Sequence, residues 1–353
     1  MNEYLNLLEN LIRCKAVSEN IENVNRAIGT MRSFLESKGV FCKTEVLDGR
    51  EILYASAMPG KEQDFLLNAH LDVVPAPDPM FEPEIKEGKI FARGSSDCQG
   101  NAVILARILC ELNGKASVSA VFTSDEEIGG STTLAMVERG YAARKMILIL
   151  DAEPFCIANA QKGIIKVTLR AKGRGGHSSE PWALKNPIDL LIDGYVKLRS
   201  LWPELTADHW CNTMAPCIIR GGSVFNQVPD TAEMVLNIRY ISEEDSGKIA
   251  EMIRSVGLET EFEVMSNTVF VDESHPLMHD LKKKMETFFN REIPFYRMNG
   301  ATDARHFALL KIPVAILGTL GGGMHSSGEW LDLRNAEDYA ALLKAFIAEN
   351  SAH

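Results

Sequence analysis

The chain has 353 residues, of which 46% are hydrophobic and 24% charged, so it is long enough for two domains with an ample core. Its formal net charge of −11 argues against a nucleic-acid partner and against binding to an anionic membrane surface. The seven cysteines are scattered without a Cys-x-x-Cys pair, which indicates reduced thiols rather than a disulfide framework. With no basic amino-terminal region and no apolar run near 18 residues, we expect a cytoplasmic protein.

The first part of the chain alternates predicted helices and strands, which is typical of an α/β domain. Apolar residues at helical spacing predict helices over 2–14 and 18–38, and Gly39 ends the second. Residues 40–57 alternate like edge strands, and 64–68 form a short apolar run that predicts a buried strand.

A histidine and an aspartate follow this buried strand. His70 and Asp72 are two residues apart, so in an extended chain their side chains lie on one face. A metal-bound imidazole commonly has its second nitrogen held by a carboxylate, a part that Asp72 can play for His70. A hydrogen-bonded structural histidine is the alternative.

The next candidate ligand is Asp97, which directly precedes a predicted apolar helix over 102–112. An aspartate in this position commonly caps a helix. A carboxylate near a helix N-terminus is equally well placed to bridge two cations, and the neighbouring glycines let the backbone come close. Both interpretations are open at this stage.

Three consecutive acids, Asp125, Glu126 and Glu127, end an apolar β-branched run and precede two glycines. Adjacent carboxylates repel one another, so they either lie splayed in water or one holds a metal while its neighbour acts as a base. A second apolar strand, 146–150, also ends in acid, at Asp151. Such endings at the carboxyl edge of a parallel sheet are where α/β proteins place their ligands. Their recurrence therefore predicts a metal site there.

The pattern changes after Gly163, where alternating strands and amphipathic helices follow one another. The predicted elements are strands at 164–171, 232–239 and 259–265 and helices at 187–202 and 242–256. This order predicts a compact α+β sandwich inserted into the first domain. We place the insertion at 165–270, so that a mixed, mainly parallel sheet flanked by helices comprises 1–164 and 271–353.

Seven motifs occur in an order that is more specific than any one of them: 70–75, 94–100, 125–129, 151–154, 173–178, 221–229 and 324–329. On these motifs the chain resembles, nearly end to end, a family of zinc-dependent exopeptidases and amidohydrolases. This family includes acetylornithine deacetylase, succinyl-diaminopimelate desuccinylase, bacterial glutamate carboxypeptidase, aminoacylase and cytosolic dipeptidases.

The resemblance implies two zinc ions bridged by Asp97, with cobalt or manganese as possible substitutes. It implies that His70 and Asp151 complete one metal site. It implies that Glu127 and His325 complete the other. Glu153, which is followed by proline as in the deacylases, competes with Asp151; we favour Asp151 because it is the first polar residue after its strand.

The resemblance also implies catalytic roles: Glu126 as general base and Asp72 as the residue that orients the metal-bound imidazole. In the related enzymes the inserted domain carries the dimer interface, and the histidine matching His177 reaches the partner's site. Candidate substrate contacts are Asn226 and Arg239, at family positions, and Arg297 and Thr302. An ordinary surface histidine, an asparagine turn and a structural ion pair are the alternatives for His177, Asn226 and Arg239.

The chain departs from the family pattern beside the bridging aspartate. Cys98 and Gln99 stand where the family usually has a hydrophobic residue and a lysine. This change points to an altered charge around the metals, or to a cysteine that is oxidised or that binds metal itself. A tryptophan-containing stretch is also shortened, to 76–80, which bears on specificity.

We therefore expect a homodimeric dinuclear zinc hydrolase that cleaves an amide bond in a small substrate with a free carboxylate. A carboxypeptidase or dipeptidase is the first interpretation, and an N-acyl-amino-acid deacylase is the alternative. A nucleotide-binding enzyme built on 318–323 is a further hypothesis, but its glycine spacing misses the known patterns. A metal-free, non-catalytic binding homologue is another, and the complete ligand set argues against it.

Overall fold

The structure is a computed structural model that describes residues 2–351. The chain forms two compact units. Unit 1 takes the residues up to Ala160, Phe270–Tyr296 and those from Thr302 onwards. Unit 2 takes Gln161–Val269 and Arg297–Ala301.

Helices occur in both units, and the bounds of several differ from the sequence prediction by one to three residues. The helices are α1 Asn2–Arg13, α2 Ile21–Ser37, α3 Gln99–Leu112, α4 Ser131–Glu138, α5 Pro187–Leu201, α6 Glu243–Arg254, α7 Pro276–Phe289, α8 Ala304–Phe307 and α9 Leu333–Asn350. Within residues 2–351, no helix is both long and apolar enough to cross a membrane.

The strands range from two-residue pairings to a strand of 13 residues. They are β1 Phe41–Leu47, β2 Arg50–Ser56, β3 Glu62–His70, β4 Glu84–Lys86, β5 Lys89–Phe91, β6 Val118–Thr123, β7 Ala142–Pro154, β8 Ile157–Gln161, β9 Gly163–Lys172, β10 Gly176–His177, β11 Thr213–Gly221, β12 Gln227–Val228, β13 Thr231–Tyr240, β14 Glu259–Ser266, β15 Val269–Phe270, β16 Phe295–Met298, β17 Val314–Gly318, β18 Gly321–Gly322 and β19 Trp330–Asp332.

A mixed sheet forms the centre of unit 1, with the strand order β1-β2-β6-β3-β7-β17-β8-β15. Its middle strands β6, β3, β7 and β17 run parallel, whereas β1, β2 and β8 pair antiparallel with their neighbours. Side chains of α1, α2, α3 and α9 share one buried core with the sheet, including Leu11, Ile28, Leu105 and Leu343. The predicted mixed sheet flanked by helices is therefore confirmed.

Strand β7 is longer than predicted. We expected it to end at Leu150, but it continues through Asp151 to Pro154. Beyond Leu150 the register with β17 shifts, so that Leu317 lies opposite Leu150 and the next residue, Gly318, lies opposite Pro154. Polar residues can lie within a strand when a neighbouring strand satisfies their backbone groups.

Unit 2 contains an antiparallel sheet in the order β11-β13-β9-β14. Val167 and Leu169 of β9 and Leu236 of β13 are buried in one core with Leu191 and Leu198 of α5, to which α6 also contributes. Packing of helices on one face of an antiparallel sheet is the predicted α+β arrangement.

The bounds of unit 2 differ from the predicted insertion at 165–270. The unit begins at Gln161 and also takes Arg297–Ala301, which we had assigned to the first domain. The backbone N–H of Lys162 donates to the Met298 carbonyl at 3.2 Å. This long-range pairing draws a short distant segment into unit 2, and no local sequence pattern reveals it.

Candidate metal centre

The candidate ligands of unit 1 meet at the carboxyl edge of its parallel strands. His70 is the last residue of β3, the acids 125–127 follow β6, and Asp151 lies on β7. Because β6, β3 and β7 are adjacent and parallel, these positions come to one edge of the sheet. Asp97 reaches the same place from the residues just before α3.

One cluster of potential ligands contains His70, Asp97, Asp151 and Cys98, each offering an atom within 4.8 Å of those of the others. His70 Nε2 lies 3.1 Å from Asp97 Oδ1. Burial and then the Asp97 carboxylate raise the pKa of Asp151 well above its usual range. A pair of partly buried carboxylates beside one buried imidazole is a donor set suited to a divalent cation.

A second cluster contains Asp97, Glu127 and His325. His325 Nε2 lies 3.1 Å from Asp97 Oδ2 and 3.2 Å from Glu127 Oε1. The His325 side chain is 56% exposed, whereas that of Asp97 is 11% exposed, so this cluster opens to solvent. Because the two oxygens of Asp97 face different clusters, Asp97 joins them.

The electrostatics of Asp97 differ from those of its neighbours. Burial opposes ionisation, but hydrogen bonds with His325 and His70 hold the pKa of Asp97 well below its usual range. The hydrogen bond between His325 and Asp97 raises the pKa of His325 to about 9. The central carboxylate thus has an imidazole nitrogen 3.1 Å from each of its two oxygens, His70 on one side and His325 on the other.

Asp72 is fully buried and holds His70 together with the loop 124–130, which carries the three acids and is called the acid loop below. The His70 Nδ1 atom lies 2.9 Å from the Asp72 carbonyl and 3.5 Å from its Oδ1. The Asp72 carboxylate accepts hydrogen bonds from the Ser18 hydroxyl and from the backbone N–H groups of Glu126 and Glu127. These bonds orient the imidazole so that its Nε2 faces the first cluster.

Glu126 belongs to neither cluster, although it stands between Asp125 and Glu127 in the chain. Its Oε1 lies 3.6 Å from Arg305 Nη1, and its side chain is 11% exposed. Burial, followed by the Asp151 carboxylate, raises the pKa of Glu126 well above its usual range. A carboxylate with a raised pKa beside a cluster of ligands has the character of a general base.

The two residues that depart from the family pattern beside Asp97 are both buried. The Cys98 thiol donates to the Leu150 carbonyl at 2.8 Å, and burial raises its pKa well above the usual value. Because this thiol donates its hydrogen to a main-chain carbonyl, we predict that it does not bind metal, although its Sγ lies among the potential ligands of the first cluster. The Gln99 side chain, which is uncharged, donates to the Leu71 carbonyl at 2.8 Å.

Glu329 is a residue whose importance sequence reasoning missed, because we treated it only as the end of motif 324–329. It is 1% exposed. Its carboxylate accepts hydrogen bonds from the Arg93 guanidinium and from the backbone N–H groups of Gly94, Ser96 and Asp97. Glu329 therefore fixes the loop that carries Asp97. The only signal for Glu329 in the sequence was that it is an acid at the end of motif 324–329.

The structure separates the two acids that compete for one position. Asp151 lies in the first cluster, whereas the Glu153 side chain is exposed and belongs to neither cluster. Thr302 is buried, and its hydroxyl accepts a hydrogen bond from the Ala304 N–H at the start of α8. This hydrogen bond gives the Thr302 hydroxyl a local structural role at the start of α8. Contact between Thr302 and the substrate stays a prediction.

The remaining predicted residues lie in unit 2. His177 is exposed on β10, and its Nδ1 lies 2.7 Å from the Ser179 hydroxyl and 3.2 Å from the Ser179 backbone nitrogen. Asn226 is exposed, and its carbonyl accepts from the Ser178 N–H. Arg239 donates to the Asn237 side chain at 3.2 Å. Catalytic or substrate roles for these residues stay predictions.

Arg297, also in unit 2, pairs with Asp208 at 3.1 Å and lies over the Trp210 ring. Both contacts are ordinary for a surface arginine. Contact between Arg297 and the substrate carboxylate stays a prediction.

Comparison with known proteins bears on this arrangement. A model of peptidase family M20/M25/M40 matches residues 66–349. The chain is 26% identical over 360 aligned positions to succinyl-diaminopimelate desuccinylase of Maricaulis maris, covering 92% of this chain and 91% of that protein.

Two solved structures are similar in fold. An M20 family metallo-carboxypeptidase of Sulfolobus solfataricus superposes with a TM-score of 0.81 at 16% identity, covering 99% of both chains. The YXEP protein of Bacillus subtilis, a dinuclear metal-binding M20 peptidase, superposes with a TM-score of 0.71 at 15% identity, covering 99% of this chain and 97% of that one.

Proposed function

Because the chain belongs to peptidase family M20/M25/M40 and is a metal-dependent hydrolase of amide bonds, we propose that it cleaves a small amino-acid-derived substrate at a centre of two metal ions. The observation that carries this proposal is the pair of ligand clusters that share Asp97, with Glu126 beside them but outside both. The dinuclear metal-binding relative YXEP adds support.

In this proposal His70, Asp97 and Asp151 hold one metal ion, and Asp97, Glu127 and His325 hold the other. Their nitrogen and oxygen donors suit zinc, with cobalt and manganese as substitutes. When bound, such ions acidify a water molecule and polarise the amide carbonyl.

The residues of the chain then divide the work. Glu126 takes a proton from the attacking water and delivers it to the amine leaving group, so that one carboxylate serves as base and then as acid. Asp72 keeps the His70 ring in one orientation. Glu329 keeps the Asp97 loop in place through its backbone hydrogen bonds.

The substrate proposal combines two classes of relative. Desuccinylases remove an acyl group from an amino acid, and carboxypeptidases cleave a peptide bond next to a free carboxylate. Both reactions break an amide in a small carboxylate-bearing molecule, and this shared chemistry is what we propose. The desuccinylase match over 92% of the chain favours including N-succinyl amino acids among the substrates tested.

We further propose a homodimer formed through unit 2, in a reducing compartment such as the cytoplasm, as the free cysteines suggest. Strand β11 is at the edge of its sheet, and Ile218 and Ile219 on it are 42% and 60% exposed. An apolar edge strand is a surface that a strand of a second copy can extend. In such a dimer, the His177 imidazole would stabilise the oxyanion in the partner's site.

The experiment that tests the function is hydrolysis of a panel of dipeptides, N-acetyl and N-succinyl amino acids by the metal-loaded protein. We expect turnover of at least one class, abolished by a chelator and restored by zinc. Absence of turnover on every class after metal addition would contradict the proposal. For the dimer, Ile219→Glu should shift the sedimentation coefficient to that of a monomer, with Val46→Glu in unit 1 as the exposed apolar control.

A further inference from the structure

The short helix α8 is tied to the acid loop by a buried aspartate that has no role in the proposed chemistry. Asp303 is 1% exposed, and its Oδ2 accepts hydrogen bonds from the hydroxyls of Thr123 at 2.8 Å and Thr133 at 2.5 Å. Thr123 ends β6 just before the loop, and Thr133 lies in α4 just after it. Asp303 therefore fixes α8 against both sides of the loop that carries Glu126.

The contact between the loop and α8 is too close for a side chain at Gly130. This residue has φ of +68°, and a Cβ atom there would lie 2.3 Å from Asp303 Oδ1 and 3.1 Å from Arg305 Nη2. Only glycine adopts this positive φ without strain and also leaves the space beside Asp303 and Arg305 free. The position of α8 relative to the loop is thus sterically defined.

The position of α8 brings the Arg305 side chain next to the acid loop. It is 5% exposed, its Nη1 lies 3.6 Å from Glu126 Oε1, and its Nε donates to His306 Nε2 at 3.1 Å. Because the guanidinium is held on one side by His306, it presents a fixed charge to Glu126 on the other. A long arginine side chain restrained in this way is pre-organised.

We propose that Arg305 is a positioning residue for amide hydrolysis, which holds the Glu126 carboxylate in the orientation from which it moves the proton. The inference rests on the proposed role of Glu126. The pairing engages Oε1 and leaves Oε2 to take the proton from the water and to pass it to the leaving nitrogen. Without Arg305, Glu126 would sample other rotamers, and small misplacements of a reacting group can cost about 100-fold in rate.

This role differs measurably from binding of the substrate carboxylate by the same guanidinium. A positioning role lowers kcat with little change in KM, whereas a binding role chiefly raises KM. A positioning role also depends on Glu126 itself. In a protein that lacks Glu126, loss of Arg305 should therefore cause no further fall in kcat.

The test compares Arg305→Ala, Arg305→Lys, Glu126→Ala and the Arg305→Ala/Glu126→Ala double variant, with Arg13→Ala as an exposed control. Metal content, thermal melting and steady-state kinetics on the best substrate are measured for each. We expect Arg305→Ala to keep its metal and to lose about 30- to 100-fold in kcat, with KM changed less than about threefold. Low, non-denaturing guanidinium should restore part of that loss in Arg305→Ala and do nothing for wild type.

Two further results are expected: Arg305→Lys retains intermediate activity, and the double variant is no slower than Glu126→Ala. Either of two results overturns the inference while leaving the proposed function intact: unchanged kcat in Arg305→Ala, or a rise in KM alone. If Arg305→Ala does not fold, Arg305→Lys and Arg305→Gln carry the same comparison. A wild-type protein that cleaves no amide overturns the proposed function and the inference together.

Discussion

Replacement of Glu329 tests how strongly the proposed metal centre depends on a residue that lies outside both ligand clusters. Glu329→Ala removes the partner of the Arg93 guanidinium, which is 3% exposed and lies 2.5 Å from the Glu329 carboxylate. It also removes the acceptor of the backbone N–H groups of Gly94, Ser96 and Asp97. Arg93 would keep its contact with the Ser326 carbonyl.

The magnitude follows from burial. Breaking a buried ion pair by removing one partner costs about 3–5 kcal/mol, because the remaining charge stays in a low-dielectric environment. Unpaired backbone N–H groups add to this cost unless water reaches them. We therefore expect the free energy of unfolding to fall by about 3–5 kcal/mol. Because Glu329 bonds the Asp97 N–H, metal affinity should also fall, by about 10- to 100-fold.

The assay is urea unfolding of the metal-free protein, followed by a competition titration with a zinc chelator. Glu84→Ala is the matched control, since Glu84 pairs with Lys86 on the surface and should change the free energy of unfolding by less than about 1 kcal/mol. Glu329→Gln keeps the shape of the side chain and one acceptor but loses the charge. Its free energy of unfolding should therefore lie between those of Glu329→Ala and Glu84→Ala. A loss below about 1 kcal/mol for Glu329→Ala would refute the reasoning.

Further predictions concern the centre and its surroundings. Glu126→Ala should keep its metal while turnover falls about 10²- to 10⁴-fold, as metal analysis and kinetics will show. Asp97→Ala should lose metal and thermal stability together; retention of both metals would contradict its bridging role. Cys98→Ala should bind metal with unchanged stoichiometry, since its thiol is a hydrogen-bond donor, and a lost equivalent would identify it as a ligand. Gly130→Ala should lower the melting temperature, whereas Gly29→Ala, in open space, should not.

The fold was largely predictable because hydrophobic periodicity is local. The apolar run before Asp125 and the alternating strands around 164–171 and 232–239 marked their elements within a few residues. The extension of β7 beyond Leu150 was not predictable, since it depends on pairing with β17. Long-range pairing leaves little trace in a single sequence.

His70, Glu127 and Asp151 could be proposed from the sequence because each follows a predicted strand, and Asp97 because it precedes a predicted helix. His325 was proposed only from the resemblance to the family. Chain order could not show that Asp97 faces both clusters, nor that Glu329 supports it. These depend on contacts between residues as far apart as Asp97 and His325. Arg305 was also missed, because the run 302–306 has no period that indicates contact with Glu126.

The measurement that tests the account most directly is the number of metal ions bound per chain by wild type and by Asp97→Ala, titrated into metal-free protein. Two clusters that share Asp97 predict close to two zinc equivalents for wild type and none bound tightly by Asp97→Ala. His325→Ala, which removes a ligand of one cluster alone, should retain close to one. Wild type that binds no zinc, or Asp97→Ala that binds two equivalents as wild type does, would contradict a centre built around Asp97.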